Sequence, residues 1–149
     1  MIFRSQTFEW TWPWIGAAAV VYAWHAMGSP FPPSPEGLFG AAATVASVFA
    51  SFLGVSKAIM LTIKNTEIYN SLKKLNYTDA LFGYLRIGII CSVIFAALSI
   101  FGFFVDRDKA LFDINIGQAF SAIWICFGAL SFFTYLRISN IIFKILKLV

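Results

Sequence analysis

Four stretches of this chain run for 19 residues or more without a charged side chain: 10–29, 37–56, 87–105 and 114–136. At about 1.5 Å per residue, a helix built from any of them reaches across the roughly 30 Å of a bilayer's hydrocarbon core. They take up more than half of a 149-residue chain that is 60% hydrophobic and only 12% charged. That balance excludes a soluble domain and leaves little mass for an extramembrane enzyme. None of the four alternates apolar and polar residues with a period of two, which argues against a β-barrel. The expected fold is an all-α integral membrane protein, one membrane domain over 1–149 with four transmembrane helices.

The first stretch reads as a membrane helix rather than a cleaved leader, because Arg4 and Glu9 cancel in its flank and no clear small-x-small cleavage site precedes the proline-rich turn. Charge sets the orientation. Lys57, Lys64, Lys73, Lys74 and Arg86 against Glu67 and Asp79 give the segment between the second and third stretches a net +3, and Arg137, Lys144 and Lys147 give the tail another +3. The first connection holds only Glu36, and the third, with Asp106, Arg107, Asp108, Lys109 and Asp113, sums to −1. The positive-inside rule then places both termini and the central segment in the cytoplasm, N-in and C-in, in a multi-pass membrane protein. The Lys/Arg excess is what orientation requires, so the lipid bilayer is the expected partner and polymeric nucleic acid is not.

Along the chain, Trp10, Trp12 and Trp14 surround Pro13 in the manner of an interfacial aromatic belt. The four prolines from Pro30 to Pro35 forbid a continuing helix and predict a stiff external turn. His25 is the only histidine, and Cys91 and Cys126 both lie inside hydrophobic stretches. Neither a metal set nor a disulfide framework follows from them, and packing is the simpler role. Past Ser56, the residues Ile59, Ile63, Ile68, Leu72 and Leu75 keep a helical rhythm with no glycine or proline between them. The segment 57–86 is therefore expected to form a basic cytoplasmic helical hairpin from extensions of spans two and three.

The second stretch is rich in small residues, with Ala43, Ser47 and Ser51 on one four-residue ladder and Ala46, Ala50 and Gly54 on the next. Two readings stand for it: a tight packing face within the chain, or a mildly polar face of Thr44, Ser47 and Ser51 lining a water path shared by several copies. Gln118 and Ser121 give span four its most polar turn and carry the same choice between interhelical hydrogen bonding and pore lining. The sequences GxxxxGK[ST], HExxH, CxxC and GxSxG are absent, no nucleophile–histidine–carboxylate set is evident, and the four stretches hold no charge. An enzyme, a cofactor and an ion-coupled pump are accordingly not expected.

The expected function is an oligomeric ion channel or membrane-depolarising effector. Its pore-lining candidates are Thr44, Ser47, Ser51, Gln118 and Ser121. Lys57, Lys64, Lys73, Lys74 and Arg86 form a positive vestibule suited to a nucleotide or other anionic ligand. Four short helices leave little interior for water, so a pore calls for a homo-oligomer. The competing reading is a noncatalytic scaffold or accessory subunit of a larger membrane complex. The short spans, the turn Pro30–Pro35 and the basic segment running from Lys57 through Ser71-Leu-Lys-Lys-Leu to Arg86 resemble the small four-span effectors of bacterial antiviral defence, such as the Hailong-type channel effectors. That resemblance implies a channel held inactive by a nucleotide made by a partner enzyme, and depolarisation of the host membrane when the signal is disturbed.

Overall fold

The computed structural model describes residues 6–62, 77–105, 110–111 and 114–146. Among them run four helices, α1 (Gln6–Ala26), α2 (Glu36–Thr62), α3 (Tyr77–Phe101) and α4 (Ile116–Leu146). Two-residue strands β1 (Ala110–Leu111) and β2 (Ile114–Asn115) pair antiparallel just before α4, Ala110 with Asn115 and Leu111 with Ile114.

Among the described residues, three segments, Glu36–Thr62, Thr78–Phe101 and Ile116–Phe143, are long and apolar enough to cross a membrane. This corrects the expectation of four spans to three. The difference lies in α1, whose 21 residues include Trp10, Trp12, Pro13, Trp14, Tyr22, Trp24 and His25. Length without charge is not the same as apolarity, and only Ile15–Val21 is a continuous run of small and aliphatic residues. With an odd number of crossings, the N-in and C-in pairing of the two ends no longer follows.

Helix α1 ends in a Schellman motif. The Ser29 amide donates to the Trp24 carbonyl and the Gly28 amide to the His25 carbonyl, both at 3.0 Å. Gly28 takes φ 85° and Ser29 φ 55°, the left-handed geometry this cap requires and glycine adopts without strain. The Trp24 indole N–H then donates to the Pro30 carbonyl at 2.9 Å, tying the proline-rich turn to the helix it leaves.

Phe39, Ala46, Leu53 and Met60 recur every seven residues on α2, and all four are buried. That spacing keeps them on one face of a helix. The same face meets a glycine of α3 and the glycine just after it: a Cβ on Gly102 would stand 2.7 Å from the Phe39 ring, and one on Gly88 would stand 2.9 Å from Leu53. The two contacts fix an antiparallel register. Helices α3 and α4 also run antiparallel, with Ser99 opposite Trp124, Phe95 against Gly128, Ser92 opposite Ser131 and Gly88 against Ile138 and Thr134. Helix α1 lies along α4, where Gly16 admits the Phe133 ring and Trp12 meets the same ring edge-on at 5.3 Å.

The core falls into three clusters along the bundle. Phe39, Ala46, Phe95 and Trp124 fill one end, where Phe39 sits among the rings of Phe31, Phe103, Phe120 and Trp124 at 5.5–6.1 Å. Ala17, Cys91 and Leu130 form a small middle cluster. Leu53, Met60, Leu81, Tyr84, Leu85, Ile138 and Ile141 fill the other end. Helix α2 continues past Lys57 to Thr62 and α3 begins at Tyr77, ahead of Arg86. The remainder of the expected hairpin, 63–76, lies outside the described residues.

Candidate functional site

Thr44, Ser47 and Ser51 are all exposed on one face of α2. The opposite face carries the heptad of Phe39 and Leu53, so the hydroxyls point away from the bundle. Thr44 donates to the Gly40 carbonyl at 3.0 Å and Ser47 to the Ala43 carbonyl at 2.8 Å. A hydroxyl has one proton and two lone pairs, so what these two present outward is acceptor capacity. Neighbouring Gly40 and Gly54 would meet no atom within 4 Å if given a Cβ. Of the two small-residue ladders, Ala46 is buried and Ala43 and Ala50 are half-buried, whereas Ser47, Ser51 and Gly54 are exposed.

Gln118 and Ser121 do not join this face. Ser121 is buried and donates to the Gly117 carbonyl at 2.7 Å. The Gln118 amide nitrogen accepts a cap from Asn115 by donating to its Oδ1 at 3.2 Å, and the Gln118 side chain donates to Ser29 Oγ at 3.2 Å. Ser29 Oγ in turn lies 3.3 Å from His25 Nδ1. This chain links the end of α1 to the start of α4 beside an open pocket of about 540 Å³ walled by Trp24, Phe31, Pro32, Asn115 and Gln118.

Lys57 and Arg86 are exposed on α2 and α3; Lys64, Lys73 and Lys74 lie outside the described residues. Arg137 is the residue that charge counting misplaced. It belongs not to a tail but to α4, which runs on to Leu146, and it is 6% exposed with its guanidinium carbon 4.0 Å over the Tyr84 ring. The fourth span therefore runs beyond its expected end at 136, and Ile116–Phe143 takes in a buried arginine. The continuing apolar rhythm of Ile138, Ile141 and Ile142 after Arg137 was the signal for it. The hydroxyl seam of Ser92, Ser99, Ser131 and Thr134, all buried between α3 and α4, was not singled out by sequence either.

Among the described residues no group of three or more histidine, cysteine, aspartate or glutamate side chains is placed to hold a metal ion. Comparison of the chain with family models, with curated proteins and with solved structures finds no match. The fold and its surfaces define a small multi-pass helical membrane protein.

Proposed function

We propose that this chain is the subunit of an oligomeric ion channel in which the Thr44, Ser47 and Ser51 face of α2 borders a water path shared between copies. The observation that carries the reading is that three hydroxyls on the most small-residue-rich helix face outward, uncovered by any other described element. The subunit's own centre is filled by Phe39, Phe95, Trp124 and Leu53, so a conducting route runs between subunits rather than through one. At Thr44 and Ser47, whose protons are held by their own helix, the side-chain oxygens offer water and cations an acceptor lining without a fixed charge.

The likeness to small antiviral membrane effectors of bacteria extends this reading to depolarisation of an inner membrane. That likeness also calls for a nucleotide from a partner enzyme that holds the channel shut. Reconstitution into liposomes, with subunit number measured by mass on the same preparation, tests the function. A homogeneous homo-oligomer that passes ions supports it. A monomer that passes none, recovered only together with another membrane protein, supports instead a scaffold that docks through the α2 face.

A further inference from the structure

Lys57, Arg86 and Arg137 come from three helices and are far apart in sequence, yet the helix registers bring them to one height. Between α2 and α3 the contacts of Phe39 with Gly102 and of Leu53 with Gly88 extend by one turn to set Lys57 level with Tyr84. Tyr84 is the ring on which Arg137 rests, at 4.0 Å. Between α3 and α4 the pairs Ser99–Trp124 and Ser92–Ser131 continue to set Arg86 opposite Arg137. All three cations fall within about one helical turn, roughly 5 Å, of one another along the bundle axis. Trp12 of α1 meets Phe133 one turn short of Arg137, and its neighbours Trp10 and Trp14 are 51% and 48% exposed. Exposed indoles at one height mark a membrane–water boundary.

The opposite boundary checks the assignment. Twenty residues from Lys57 along α2 is Gly37, and twenty from Arg137 along α4 is Gly117; each distance is about 30 Å, one hydrocarbon thickness. Glu36 and the start of α4 stand at those ends. Of the described carboxylates on α2 and α3, Asp79 lies about 10 Å further along α3 and Glu36 at the far end of α2, while Glu9 belongs to α1, beside its tryptophans. Lys57 and Arg86 are exposed at this level, while Arg137 backs them from inside the bundle.

We infer that this ring of cations is a docking surface for anionic phospholipid headgroups, with the phosphates of one leaflet held by Lys57 and Arg86. The inference does not depend on channel activity. It is tested by native mass spectrometry of the full chain released from micelles containing equal phosphatidylglycerol and phosphatidylcholine. Wild type is expected to retain the anionic lipid in preference by on the order of tenfold, since each basic residue near an anionic surface contributes a several-fold factor. Lys57→Gln with Arg86→Gln should abolish that preference, whereas Lys57→Arg with Arg86→Lys should keep it. Equal retention of both lipids by wild type overturns the inference, as does an undiminished preference in the Gln pair. Loss of retained phosphatidylglycerol on adding millimolar ATP also overturns it, because the surface would then serve soluble phosphates.

Discussion

Ser92 and Ser131 meet in a 2.8 Å hydrogen bond between hydroxyls that are both fully buried where α3 crosses α4. Ser92 also donates to the Gly88 carbonyl at 2.9 Å. With its single proton used there, Ser92 accepts from Ser131. The bond joins α3 to α4 within a seam of buried hydroxyls and is one of the contacts that fix their register, with Ser99–Trp124 and Phe95 against Gly128.

Replacing either serine by alanine should cost on the order of 1 kcal/mol or less, with a coupling of about 0.6 kcal/mol in the double-mutant cycle. Equilibrium unfolding in detergent micelles measures it. A coupling of zero means the two hydroxyls do not act as a pair.

Two glycines separate packing from surface. Gly102→Ala places a methyl 2.7 Å from the Phe39 ring, which is 1% exposed and enclosed by other rings. A loss of about 1–3 kcal/mol is expected for such overpacking. Gly54→Ala, which would meet nothing within 4 Å, should leave subunit stability unchanged or slightly raised. Similar melting of the two variants contradicts the assignment of the α2 faces.

The Arg137–Tyr84 contact predicts an order among substitutions of the ring. Tyr84→Leu removes the cation–π attraction and should destabilise by about 1–2 kcal/mol. Tyr84→Phe keeps the aromatic face and should lose less. Thermal unfolding that ranks Tyr84→Phe below Tyr84→Leu counts against a role for the ring.

The thiols differ in access. Cys91 is buried and Cys126 only partly so, and labelling follows exposure. A membrane-permeant maleimide should modify wild type and Cys91→Ala at similar initial rates, and Cys126→Ala much more slowly. Peptide mapping after brief labelling that finds Cys91 first contradicts this arrangement.

All four helices were legible as uncharged runs, and three of them as crossings, because a crossing helix must keep charge away from hydrocarbon and does so visibly in sequence. The first run misled because tryptophan, tyrosine, proline and histidine are uncharged without being strongly apolar. Arg137 misled in the opposite sense: a charge was taken as the end of a span, whereas the Tyr84 ring lets the helix carry it inside the bundle. On α2, small residues on two adjacent ladders gave no basis for choosing the outward face. The bulky heptad of Phe39, Leu53 and Met60 chose it, by filling the seam against α3. Thr44, Ser47 and Ser51, close in helical spacing, share the exposed face of α2. Gln118 was drawn away by a partner 89 residues distant, Ser29, which no local pattern reveals.

A water path along α2 requires Ser47 to face water in the assembled protein. Ser47→Cys in a Cys91→Ala/Cys126→Ala background, reconstituted into liposomes, tests this through its reaction with a charged, membrane-impermeant methanethiosulfonate. A steep fall in ion flux on modification, with the oligomer intact by mass, is the predicted result. A thiol at that position that stays unreactive while ions pass, or reacts without changing the flux, would show that the α2 hydroxyl face does not border the conducting path.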